Sequence, residues 1–87
     1  MISFIDAQEM HRKHSHCFQV PNDHHLNKLK VGDYVKICEG NERFWVELTE
    51  VEGQKLSGRV DNDLFFTHDF ECDDIVHFET RHVYNIL

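Results

Sequence analysis

The segment from Glu42 to Asp63, ERFWVELTEVEGQKLSGRVDND, constrains the fold more than any other part of the chain. Phe44, Val46 and Leu48 recur at every second position with Trp45, Glu47 and Thr49 between them, the period of a strand with two chemically different faces. Glu52, Gly53 and Gln54 break the alternation. Beyond the break Leu56, Gly58 and Val60 fall on one face and Ser57, Arg59 and Asp61 on the other, so the chain is expected to reverse and pair with itself as an antiparallel hairpin.

With 87 residues there is room for one domain, and a domain of this size buries only about 60–65% of the surface its unfolded chain exposes. Seven Phe, one Trp and two Tyr compensate, because each large aromatic removes about 150–250 Å² from water. No apolar run approaches the length of a membrane span, and the first residues lack the layout of a signal peptide, which predicts a soluble, cytoplasmic chain with no membrane partner. Cys17, Cys38 and Cys72 are odd in number and lack CxxC spacing, so reduced thiols are expected in place of a disulfide framework or zinc ribbon. The net charge of −7 is unevenly spread: residues 1–38 carry four acids and five bases, residues 39–87 twelve acids and four bases. A negative C-terminal half repels phosphate backbones and points away from direct nucleic-acid binding, toward a protein partner with a basic surface.

The rest of the chain reads as short elements. Ser3 and Asp6 have the spacing of a capping-box variant, and AQEMHRKH supplies helix formers with acids early and bases late, which predicts a helix over about 4–14. An extended piece through Phe18 and Val20 ends at Pro21, and Asn22 or Asp23 caps a helical turn through Leu26 and Leu29. Val31-Gly32-Asp33 is a turn, Tyr34 to Cys38 a strand, and Glu39-Gly40-Asn41 the turn into the hairpin. Leu64 to Phe70 is apolar but irregular, as in a loop laid over a barrel mouth. Cys72-Asp73-Asp74 turns into a strand over Ile75 to Phe78, and His82 to Ile86 supplies a last strand or a 3₁₀ turn followed by one. The predicted fold class is α+β and mainly β: a helix and arm over 1–25, then an SH3-like antiparallel barrel over 26–87.

The order LKVGDYVKI, then ERFWVELTEVEGQKLSGRVDND, then DIVHFETRHVYNI resembles the uncharacterised bacterial domain family to which YegJ-like proteins belong. The resemblance covers residues 26–87 and rests on Gly32-Asp33 with Val35-Lys36, the triplet Phe44-Trp45-Val46, the spacing of Gly58, Val60 and Asn62, and Phe78 with His82-Val83. It implies a small β-barrel domain without an established biochemical activity. The chain departs from the family pattern at LFFTHDF, where a Pro-containing loop is common, and at CDD, which replaces a Gly-Asp turn.

Four constellations bear on function. His11, His14, His16 and Cys17, with His24 and His25, carry zinc or nickel donor atoms, but their spacing fits no structural zinc pattern, and solvent-exposed histidines are the plainer reading; no metal or other cofactor is expected. Cys17 beside His16 points to the opposite face of a strand, Cys38 lies opposite Val35 and Ile37, and Cys72 sits beside Asp73 and Asp74, which disfavour its thiolate. Asp61 and Asp63 read as turn residues before they read as an acid–base pair. Trp45 is expected to pack under the N-terminal helix, with a binding platform beside Tyr34, Arg59 or Tyr84 as the other reading. Last, Asp61, Asp63, Asp69, Glu71, Asp73, Asp74 and Glu79 form either a solvated face or a surface complementary to a basic protein.

These features predict a non-enzymatic binding domain of a bacterial or mobile-element protein, contacting its partner through Asp61, Asp63, Asp69, Glu71, Asp73, Asp74, Trp45 and Arg59. The alternatives are an acidic inhibitor that blocks a nucleic-acid-handling complex by charge mimicry and, in another class, a metal- or thiol-dependent enzyme. Exposure of Phe65 or Phe66 would add a homodimer to the partners.

Overall fold

The computed structural model describes residues 2–14, 20–66 and 68–87. Five strands, β1 (Tyr34–Glu39), β2 (Glu42–Glu52), β3 (Lys55–Val60), β4 (Ile75–Glu79) and β5 (Asn85–Ile86), form one antiparallel sheet in the order β4-β3-β2-β1-β5. Two short helices, α1 (Ala7–Lys13) and α2 (Asp23–Leu26), precede it, and a 3₁₀ turn (Thr80–His82) joins β4 to β5. The sheet stays open, since β4 and β5 are not paired to each other.

The expected hairpin is present and its register explains its sequence. Val46 pairs with Val60 and Leu48 with Gly58, and a bulge at Thr49 then shifts the pairing so that Val51 faces Leu56. The extra residue keeps Leu48 and Val51 on the core side although they are three apart. Both hairpins close through two residues, with Gly40 and Gly53 at the first central position and φ of 62° at each, the conformation a type II′ turn requires there. Gly58 serves another purpose: a Cβ there would collide with the Val46 side chain and lie 2.8 Å from the Glu47 carbonyl oxygen.

Inward-facing Val35, Ile37, Phe44, Val46, Leu48, Leu56, Val60, Val76 and Phe78 form the core, closed from outside the sheet by Leu26, Leu29, Phe70 and Val83. α2 is capped by Asn22, whose side chain accepts the His25 N–H at 3.0 Å. The first helix starts later than the sequence suggests. Its cap is Asp6, which accepts the Glu9 N–H at 2.9 Å, while Phe4 bridges Glu39 and Ile5 donates to the Cys38 carbonyl at 2.9 Å. The outer edge of β1 offers Phe4 and Ile5 a strand-like site, and the Phe4 ring reaches Phe44, Phe70 and Phe78 at 5.9 to 6.5 Å between centroids, so tertiary packing overrides local helix preference.

Candidate functional site

The β1–β2 turn sets the chemistry of the region that follows β3. A two-residue turn places Glu39 directly opposite Glu42, and both share strand parity with the inward-facing Ile37 and Phe44. Like charges facing each other across strands are unfavourable unless a cation bridges them. His68 lies between them, and protonated it is that cation: Nδ1 is 2.6 Å from Glu39 Oε1 and Nε2 is 2.8 Å from Glu42 Oε1. Its side chain is only 3% exposed and its ring stacks on Phe70 at 5.0 Å. Burial opposes charging the imidazole, but the carboxylates of Glu42 and Glu39 outweigh it and hold the His68 pKa above its ordinary value.

Glu42 has a second task. Its two oxygens accept the backbone N–H groups of Phe65 (2.8 Å) and Phe66 (3.0 Å). The Phe65 N–H contributes most to lowering the Glu42 pKa; burial opposes it, and His68 and the Phe66 N–H add to it. With consecutive amides fixed to one carboxylate, and with Leu64 and Phe70 turned onto the core, the two intervening Phe side chains are left in solvent: Phe65 is 94% exposed and Phe66 60%. The loop over 61–74 thus packs on the core at Leu64 and Phe70 while displaying an apolar pair at its tip. A shallow groove of about 460 Å³ beside that pair is also lined by Asp63, Glu71 and Cys72.

The residues expected to form a binding surface separate into groups. Arg59 on β3 is central to one: it contacts Asp73 at 2.6 Å, Glu47 at 2.8 Å and Asp61 at 3.5 Å. These carboxylates, Glu47 first, raise the Arg59 pKa further. Asp73 adopts φ 75°, Asp74 accepts the Glu71 N–H at 2.9 Å, and both therefore shape the turn into β4. Asp63 and Glu71 flank the exposed Phe pair, and Asp69 is exposed one residue beyond His68. Glu79 lies elsewhere, bonded to Arg81 beside Asp6.

Trp45 requires a correction. Among the described residues α1 does not pack on it; Ala7 packs with Cys38 and Tyr84 instead, supported by Ile5, Met10 and Val20. Trp45 is half-buried, with the Lys36 ammonium 4.9 Å above its ring, its backbone N–H donating to the Asn62 side-chain oxygen and its carbonyl accepting the Asp61 N–H at 2.9 Å. The misplacement arose because helix and Trp share the outer sheet face, while the chain entering at Phe4 carries α1 to the Cys38 end.

His16 and Cys17 lie outside the described residues; among those described, no three His, Cys, Asp or Glu side chains converge as a metal site. Burial raises the pKa of Cys38, and for the exposed Cys72 burial is followed by Asp73, Asp63 and Asp61. No helix among the described residues is long and apolar enough to cross a membrane. The Glu39-His68-Glu42 triad escaped sequence reading although a signal was present, since EGNE predicts two glutamates facing each other across a tight turn. Comparisons with family models, curated proteins and solved structures return no match to this chain.

Proposed function

We propose that this chain is a non-enzymatic protein-interaction domain that docks a partner through the loop over 61–74, with Phe65 and Phe66 as apolar anchors and Asp63, Asp69, Glu71 and Asp74 as an acidic rim. One observation carries the reading. Two adjacent aromatic side chains stand in solvent on a loop pinned by a partly buried Glu-His-Glu triad, a costly arrangement for a small domain unless the pair has a use. The rim selects a partner presenting an apolar pocket bordered by Lys or Arg. A second copy of the chain would bring the same negative rim to this face, so a homodimer through it is disfavoured.

The acidic-inhibitor alternative is weaker on geometric grounds. Arg59 ties up Asp61, Asp73 and Glu47, so the acids do not form an uninterrupted phosphate-like track. For the enzyme alternative, burial and neighbouring carboxylates keep the two described thiols protonated.

The strand order and the 3₁₀ turn before β5 support reading the sheet as an opened SH3-like barrel, with Phe4 and Thr80–His82 across the gap. Kinship with YegJ-like domains, in a cytoplasmic bacterial or mobile-element setting, is part of the same proposal and rests on the sequence motifs alone. The test is capture from the native host on wild-type protein and on Phe65→Ala/Phe66→Ala, in parallel and across a salt series. A genuine partner is retained by the first, lost by the second at unchanged melting temperature, and released by salt; one held equally by both overturns the assignment.

A further inference from the structure

The acidic side chains around the docking loop differ in what they already hold. Arg59 engages Asp61 and Asp73, and the Asp74 carboxylate accepts the Glu71 backbone N–H. Asp63 and Glu71 are exposed, and among the described residues neither carboxylate takes part in a hydrogen bond or an ion pair. Val60 donates its N–H to the Asp74 carbonyl at 2.9 Å and accepts the Asp73 N–H at 2.8 Å, which brings the two ends of the loop together and sets Asp63 on one limb and Glu71 on the other. Both line the groove of about 460 Å³ beside Phe65 and Phe66, whose deeper lining is Phe70 and His68, two rings stacked at 5.0 Å.

We propose that this groove receives the guanidinium group of an arginine side chain supplied by the docking partner. The inference rests on the loop over 61–74 being the docking surface, and it names what the partner inserts there. An apolar side chain in the groove would strip water from two carboxylates and leave them without a donor. A cation meets both. Of the two strongly basic side chains, arginine matches this lining: its planar, weakly hydrated guanidinium stacks on aromatic faces while its edge donates in a fork suited to carboxylates, whereas the lysine ammonium is a strongly hydrated point charge. Phe65 and Phe66 supply the exposed ring faces, and Asp63 and Glu71 the acceptors. The other two ionisable groups of the lining do not oppose such a ligand. The ring nitrogens of His68 face Glu39 and Glu42, so the protonated triad is negative as a whole, and Cys72 is held as a neutral thiol. The net charge of −7 draws a cationic segment toward the chain in the first place.

Blocked tripeptides with a central arginine, lysine or citrulline, titrated into the isotope-labelled full chain and followed by NMR, test the assignment before any partner is in hand. The arginine peptide is expected to shift the amide signals of Asp63, Phe65, Phe66 and Glu71 saturably at about millimolar concentration, the lysine peptide to bind more weakly, and the uncharged citrulline peptide to bind most weakly. Asp63→Asn/Glu71→Gln should weaken the arginine peptide about twofold to fivefold for each carboxylate removed, as for exposed ion pairs. Glu50→Gln/Glu52→Gln makes the same change in net charge at exposed positions outside the groove and should leave the affinity unchanged. The assignment fails if no signal in the groove shifts saturably, if the lysine peptide binds as tightly as the arginine one, or if Asp63→Asn/Glu71→Gln binds the arginine peptide as wild type does. Capture from the native host separates it from the docking reading. A partner lost by Phe65→Ala/Phe66→Ala but held at wild-type affinity by Asp63→Asn/Glu71→Gln overturns the arginine assignment and leaves the loop as the docking surface, whereas one held by both variants as by wild type overturns the docking surface itself.

Discussion

Replacing His68 with alanine leaves Glu39 and Glu42 facing each other on the core side of the sheet without their bridging cation. Breaking a buried charge pair by removing one partner costs about 3–5 kcal/mol. The Glu39 and Glu42 side chains are 16% and 8% exposed, so water relieves part of the penalty and the lower end, about 3 kcal/mol, applies. At about 4–8 °C per kcal/mol for a domain of 87 residues, the melting temperature should fall by about 12–24 °C. Hydrogen exchange gives the local readout: the Phe65 and Phe66 amides, bonded to Glu42, should be protected in wild type and lose protection in His68→Ala. Acidification supplies a signature, because two unbridged carboxylates raise the pKa of one of them and its protonation removes their repulsion. The gap between His68→Ala and wild type should therefore narrow as the pH falls toward about 4–5. A variant melting within about 4 °C of wild type, with both amides still protected, would refute the triad as the anchor of the loop.

Three further outcomes follow from the same contacts. Gly58→Ala should destabilise by about 1–3 kcal/mol, read by chemical denaturation, because the new methyl meets Val46 and the Glu47 backbone; an unchanged midpoint would mean the hairpin yields there. Histidine linkage should have two opposing limbs. His68, with its raised pKa, contributes stability that is complete below about 6.5 and lost as pH rises through its folded value; His82, lowered by burial and then by Arg81, contributes stability present above about 6.5 and lost as pH falls through its folded value. NMR titration of the two rings should show those opposite displacements, and pKa values equal to an exposed imidazole would remove both limbs. Trp45→Ala should cost only about 1–2 kcal/mol in thermal melts, below the about 3–5 kcal/mol of a fully buried Trp, since the ring is half-buried beneath Lys36; a loss at the upper value would restore a core role.

Alternation, with turn and cap chemistry, carried the legible part of the fold. The Phe44-Val46-Leu48 and Leu56-Gly58-Val60 faces, the turns at Gly40 and Gly53 and the cap at Asn22 all follow from local period or backbone chemistry, and each is present. What local reasoning missed depends on distant partners. Phe4 pairs at the edge of β1 with Glu39, a residue far along the chain, so the helix begins at Ala7, and the bulge at Thr49 exists only relative to β3. The loop over 61–74 shows the same limit most clearly. LFFTHDF reads as an apolar stretch, yet Leu64 and Phe70 turn inward and Phe65 and Phe66 outward because the acceptor for their amides comes from the β1–β2 turn. Arg59 is a parallel case: a strand residue of the outer face organises Asp61 and Asp73, so two of the seven acids of the cluster are held in a local ion-pair network.

The most direct test of the docking assignment is the affinity of the captured partner for wild type and for Phe65→Ala/Phe66→Ala, measured at several ionic strengths on proteins of matched melting temperature. Loss of two exposed aromatic anchors should weaken binding by about 100-fold or more, and wild-type affinity should itself fall as salt screens the rim of Asp63, Asp69, Glu71 and Asp74. Equal affinity of the two proteins, or wild-type binding indifferent to salt, would contradict the assignment of this loop as the interaction surface.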